Sequence, residues 1–194
     1  MNFVVLSSSK GTVFQAVIDR MKDRTLTARC AGLIADTEDR GCVMKARAAG
    51  IPVLIVPKTK GEDREIYDQR VDAAITELSA DNPVIACMGW MWMLSPWFVG
   101  KRRNRIVNVH PALLPKHPGA HAHDLVIAAK DHESGMTIHL IDEGMDTGKI
   151  LLQKTCPVLP DDTVETLKPR VQALECEWYP KALQMIEDGT MKLS

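Results

Sequence analysis

The chain has 194 residues, 45% apolar and 25% charged, the balance of a globular domain with enough apolar side chain for a real core. Its 24 basic and 25 acidic residues leave a formal charge of −1, so no whole-chain electrostatic case exists for a nucleic acid or an anionic membrane as partner. No run approaches the ~20 apolar residues of a membrane span, and the five cysteines (Cys30, Cys42, Cys87, Cys156 and Cys176) are scattered and never spaced as C-x-x-C, which predicts reduced thiols in a cytoplasmic protein.

The opening MNFVVLSSSKG lacks a basic flank and reads as a strand over residues 3–6, not as a signal peptide. Phe14, Val17, Ile18 and Met21 then repeat at helical spacing. Residues 31–35 predict a second strand, 40–49 a helix that Gly50 stops, and 52–56 a short third strand. Tyr67, Val71, Ala74, Ile75 and Leu78 mark the buried stripe of a third helix, and 84–87 and 106–109 read as strands four and five. Short apolar strands alternating with amphipathic helices predict an α/β protein, a mostly parallel twisted sheet with helices on both faces. Ligands of such sheets collect beyond the carboxyl ends of the strands. Residues 110–123 follow as a Pro-, Gly- and His-rich loop, and 137–141 and 150–158 as two further strands. A closing helix reaches about residue 187, opened by a capping-box-like pair, Asp162 and Glu165, and kinked or split at Pro169. No linker or repeat divides the chain, so one domain over 1–194 is expected.

Four segments carry candidate chemistry. Asn108-Val109-His110-Pro111 ends the fifth strand, and residues i and i+2 of a strand share a face. An amide donor beside an imidazole that changes charge near neutral pH suits a carbonyl gaining negative charge while a proton moves; a loop histidine satisfying backbone groups is the plainer alternative. Asp142-Glu143-Gly144-Met145-Asp146-Thr147-Gly148 is an acidic turn that could place a carboxylate near His110, or else a solvated loop without EF-hand spacing. Ser7-Ser8-Ser9-Lys10-Gly11-Thr12 precedes the first helix, where free N–H groups favour an anion, yet it matches no phosphate-loop motif. Residues 88–94, with Trp90 and Trp92, suit either a pocket for a flat heterocycle or core packing. His117, His121 and His123 have no cysteine or carboxylate spaced to complete a zinc site, and no metal is expected.

These segments together resemble the phosphoribosylglycinamide formyltransferase family. Residues 108–119, NVHPALLPKHPG, are similar to its NIHPSLLPKYPG signature. Gly135-Met136-Thr137-Ile138-His139 resembles its GxSVH strand, Asp146-Thr147-Gly148 its LDxGP turn, and Met91 with Leu94-Ser95-Pro96 its GFMRxLSP segment. Arg170-Val171-Gln172 with Glu175 resembles its closing RVQxxE helix, and the resemblance covers nearly the whole chain.

The resemblance implies a formyltransferase fold with a Rossmann-like nucleotide-binding half over 1–100 and a catalytic and folate-loop half over 101–194. It implies transfer of a formyl group from N10-formyltetrahydrofolate to the amine of glycinamide ribonucleotide, in purine synthesis. The partners are then small molecules, without nucleic acid or membrane, and a homodimer is an assembly the sequence leaves open. Asn108 would hold the oxyanion, His110 would donate a proton, and Asp146 would favour the imidazolium and relay the proton lost by the amine. His121 would support Asp146. Arg64, Met91, Trp92, Met93, Leu94, Asp142, Glu143, Gly144 and Met145 would bind the folate. Lys10, Gly11, Thr12, Val13, Gln172 and Glu175 would hold the phosphorylated acceptor. The first loop departs from the family's SGxGSN at Ser9 and at Val13, which cannot make an amide's hydrogen bond, and Trp92 replaces an arginine. Another acceptor amine, such as an amino sugar nucleotide, or an inactive folate-binding paralogue are the alternatives. The absence of a C-terminal basic region argues against methionyl-tRNA as acceptor, and that of an N-terminal regulatory domain against a formyl-folate hydrolase.

Overall fold

Alternation along β1 (Asn2–Leu6) decides how the molecule is layered. Phe3 and Val5 point to one side of the sheet and Val4 and Leu6 to the other, and the two pairs join different apolar cores. The structure, a computed structural model, describes residues 1–194. The first core is completed by α1 (Thr12–Lys22), α2 (Gly41–Ala48), α5 (Ala122–Ala129) and α6 (Val164–Glu187). The second is completed by α3 (Arg64–Leu78) and α4 (Pro96–Lys101).

Between these layers lies one sheet in the order β3-β2-β1-β4-β5-β6-β7, with β2 (Arg29–Ala35), β3 (Val53–Ile55), β4 (Val84–Cys87), β5 (Ile106–His110), β6 (Glu133–Leu140) and β7 (Ile150–Pro157). The first five strands are parallel, and β6 and β7 are antiparallel additions. The chain leaves β1 toward β2 and β3, then crosses to β4 on the other side of β1. Such a reversal opens a crevice beyond the carboxyl ends of the two central strands.

Polar contacts hold the crevice walls. The Asp72 carboxylate of α3 receives Arg102 Nε and Lys101 Nζ, each at 2.7 Å, joining α3 to the end of α4. Asp68, also on α3, accepts the Ser95 N–H at the start of α4, so the loop after β4 is pinned at its far end. On the opposite layer Tyr179 is fully buried and donates to the Val107 carbonyl of β5 at 2.9 Å.

Three expectations are corrected. Residues 122 and 123, read as the end of the preceding loop, begin α5, and neither α4 nor the rest of α5 was foreseen; both helices are short. The residue capping α6 is Thr163, whose N–H donates to Thr166 Oγ1 at 2.9 Å. Asp162 instead accepts from Arg170 at 2.7 Å and from the Leu159 N–H, contacts that hold its carboxyl well below the usual carboxylate range. Pro169 does not split α6, which runs unbroken through Pro169 and Pro180. The fully buried Leu167 and the buried Val171 flank Pro169 and fasten both sides to the core, offsetting the one backbone hydrogen bond that proline removes.

Candidate active site

The loops after β1, β4 and β5, the 142–146 loop and one face of α6 surround a cavity of about 790 Å³. Its floor is set by strand register. Asn108 and His110 project from one face of β5, and antiparallel pairing puts His139 directly opposite Asn108 and Thr137 opposite His110. Asn108 Nδ2 lies 3.1 Å from His139 Nε2, and His139 Nδ1 lies 2.9 Å from the Leu140 carbonyl. A carbonyl only accepts, so this network assigns the proton to Nδ1 and leaves Nε2 to receive the Asn108 amide. Burial lowers the pKa of His139, opposed by the Leu140 hydrogen bond and Asp146, and keeps the ring neutral. Asn108 is thereby held in one orientation with a second N–H free.

Asp146 closes the cluster. Its Oδ2 is 3.3 Å from His110 Nδ1 and accepts the Gly119 N–H at 2.8 Å, while Oδ1 is 3.5 Å from His139 Nε2. The His110 side chain is 5% exposed and that of Asp146 17%, so the carboxylate faces the imidazole with little intervening solvent. Asp146 adopts φ +55° and Gly119 φ +88°, turns that bring two loops together at this carboxylate. Amide, imidazole and carboxylate, distant in the chain, thus meet at one cavity wall.

The other predicted residues divide clearly. Met91, Trp92 and Met93 line the cavity rather than the core, with Met91 63% exposed, whereas Leu94 borders the cavity while packing into the second core; Trp92 Nε1 donates to Asp36 at 3.1 Å. Residues 142–145 line the cavity as well. So do Lys10, Gly11, Thr12, Val13, Gln172 and Glu175. Gly11 takes φ +70° at the start of α1, where no side chain caps the first-turn N–H groups. A Cβ on Gly11 would come within 2.8 Å of the Cys42 backbone, so the loop needs glycine. Burial raises the Glu175 carboxyl to about 7, against the opposing charge of Lys168.

Two residues are not brought to the site. His121 is 83% exposed at its side chain and lies 3.8 Å from Asp124, and the histidine beside Asp146 is His139. One residue on the 110–123 loop cannot be placed from sequence, whereas His139 is fixed by pairing with β5. Arg64 begins α3, exposed and outside the cavity lining. His139, His123 and Lys168 line the cavity without having been expected at the site. His123 is half-buried with Nδ1 unpartnered, its pKa lowered by burial and by Lys168. The strand motif containing His139 was visible; its partner across the sheet was not. Elsewhere, no group of three or more His, Cys, Asp or Glu side chains is arranged to hold a metal, and no helix is long and apolar enough to cross a membrane.

Residues 1–183 match the family model described as formyl transferase. The chain is 36% identical over 192 residues to the trifunctional purine biosynthetic protein adenosine-3 of Drosophila melanogaster, covering 98% of this chain but 14% of that protein. It is 34% identical over 193 residues to the phosphoribosylglycinamide formyltransferase of Escherichia coli, covering 100% of this chain and 90% of the relative. The crystal structure of glycinamide ribonucleotide transformylase 1 from Symbiobacterium toebii superposes with a TM-score of 0.92 at 31% identity, over 97% of this chain and 88% of that one. That of phosphoribosylglycinamide formyltransferase from Bacillus halodurans gives 0.90 at 33% identity, over 96% and 95%.

Proposed function

The chain belongs to the formyl transferase family, and on that premise we propose that it transfers the formyl group of N10-formyltetrahydrofolate to the amine of glycinamide ribonucleotide, a step of purine biosynthesis. The observation that carries this reading is the meeting of Asn108, His110 and Asp146, with His110 Nδ1 3.3 Å from the Asp146 carboxylate at the cavity wall. The curated relatives that act on this ribonucleotide by name support the choice of acceptor.

Each side chain has a task the geometry suits. The segment 91–94 and the 142–145 loop, both lining the cavity, suit a flat pterin. Lys10, the uncapped first turn of α1, Gln172 and Glu175 suit a ribose phosphate, with Lys10 supplying the attraction that Val13 cannot. The acceptor nitrogen attacks the formyl carbon, and Asn108 donates its free N–H to the oxygen as it gains charge. His110 delivers a proton to the departing folate nitrogen as the carbon–nitrogen bond breaks, and Asp146 stabilises the imidazolium and takes up the proton lost by the amine. Orientation in a shaped cavity supplies the remainder of the rate. The five free cysteines support a reducing compartment, the cytoplasm, as the place of work.

Purified protein is given formyl-folate with glycinamide ribonucleotide, with no acceptor, or with a panel of amino sugars. Turnover only with the ribonucleotide is expected. Folate release without acceptor makes the protein a hydrolase, turnover with an amino sugar alone moves the acceptor, and binding without turnover in any arm makes it a paralogue that has lost the reaction.

A further inference from the structure

We propose that His117 and Asp131, outside the reacting cluster, are positioning residues that determine which nitrogen of His110 exchanges its proton. The proposal deepens the formyl-transfer reading and rests on it for its kinetic consequence alone.

His110 Nε2 lies 2.8 Å from the backbone carbonyl of His117. Because a carbonyl can only accept, Nε2 carries a hydrogen in both charge states of the ring. The proton then arrives and leaves at Nδ1, the nitrogen that faces Asp146. Without that carbonyl a neutral His110 could shift its hydrogen to Nδ1, toward the carboxylate, and present a bare Nε2 where nothing needs a base. The tautomer therefore depends on where the His117 carbonyl points.

That direction is not set by local preference. His117 adopts φ +54°, a left-handed conformation unfavourable for a non-glycine residue. Its side chain supplies an anchor: His117 Nε2 lies 2.7 Å from Asp131 Oδ2, and Asp131 Oδ1 receives Lys116 Nζ at 3.3 Å. The His117 hydrogen bond, with help from Lys116, lowers the Asp131 pKa, so the anchor carries charge. Asp131 follows α5 and donates its own N–H to the Val126 carbonyl of that helix at 3.3 Å. The start of the same loop is held from β6, where the fully buried Thr137 donates to the Ala112 carbonyl at 2.6 Å and accepts the Leu114 N–H at 3.0 Å. The loop from His110 to His117 is thus tied to β6 at one end and to α5 at the other.

The charges around the two rings are distinct. His110 is faced by Asp146, His139 and His123, and His117 by Asp131 and Lys116, with Lys130, His132 and Glu133 around the adjacent cleft. The anchor reaches His110 only through the carbonyl. Tyrosine stands at this position in the motif that residues 108–119 resemble, so the histidine–aspartate anchor belongs to this chain's own sequence.

Nitrogen-15 spectra of histidine-labelled protein report the tautomer of each ring without any substrate. For wild type a single Nε2–H form of neutral His110 is expected. His117→Phe is expected to give a mixture of tautomers at His110, a shifted pH profile of kcat, and a kcat lowered roughly 10- to 100-fold with KM for both substrates changed by less than about twofold. His117→Gln, whose amide nitrogen reaches about as far as the imidazole Nε2, is expected to restore both the spectrum and the rate. An unchanged His110 spectrum in His117→Phe overturns the proposal, and so does a rate loss that merely follows a lower melting temperature with the His110 nitrogen shifts intact. A tautomer shift in a protein without formyl transfer would sink the functional reading and leave the anchor standing.

Discussion

Replacing Glu175 with glutamine is expected to stabilise the protein at alkaline pH and to leave its stability unchanged in acid. Burial at the cavity wall raises this carboxyl from the usual 4.5 to about 7, with the Lys168 ammonium opposing the rise. Across that window the folded chain keeps a proton that the unfolded chain has released. Stability therefore falls as pH rises from about 4.5 to about 7, and the whole cost is present above the folded value. A displacement of this size corresponds to about 3 kcal/mol at most, and the partial exposure of Glu175 at the cavity reduces the expected cost to about 1–3 kcal/mol. Glutamine keeps the shape and has no charge to bury. Urea titrations of both proteins at about pH 4.5 and 8.5 should agree in acid and separate by about 1–3 kcal/mol in base, a melting difference of about 2–4 °C per kcal/mol for a chain of this size. A stability difference that stays flat across the window, or one in which the variant loses ground as pH rises, would refute the burial argument. At about pH 8.5, where the carboxyl is ionised, the same change should raise the KM for glycinamide ribonucleotide about fivefold if Glu175 holds the acceptor as proposed.

Asp146→Asn keeps an acceptor for the Gly119 N–H but removes the negative charge beside His110; turnover should fall at least ~100-fold with folate affinity nearly unchanged, as single-turnover rates and equilibrium binding will show. Asp72→Ala strands Arg102, whose side chain is 8% exposed, against only Asn82 and Thr76; a loss of about 3–5 kcal/mol is expected in denaturant titration, and a loss below ~1 kcal/mol would mean the α3–α4 junction relaxes around the charge.

The element pattern was legible because it is local. Residues 84–87 and 14–21 announce a buried strand and an amphipathic helix within a few residues of chain, and the structure keeps both. The capping of α6 was misplaced by one residue because Asp162 is taken by Arg170, a contact across two turns of helix that no capping pattern contains. The pairing of Asn108 with His110 was legible for the same local reason, the two-residue repeat of a strand. His121 and His139 illustrate the opposite case. Nothing in the order of residues tells which histidine faces Asp146, since that depends on how β6 registers against β5 and on the turns at Gly119 and Asp146.

The amino-acid sequence by itself determined the layers, the strand-by-strand alternation that fills two cores, and the amide, imidazole and carboxylate on which the proposed chemistry rests. Only the tertiary structure decided that Met91, Trp92 and Met93 face a cavity instead of the core, that His139 orients Asn108, that Arg64 and His121 stand apart, and that a carbonyl seven residues along the loop holds the far nitrogen of His110. The physical reason is one of range. Side-chain periodicity and backbone propensity act over a few residues, whereas the register of antiparallel strands and the meeting of loops are set by packing between segments far apart in the chain, which no single segment encodes.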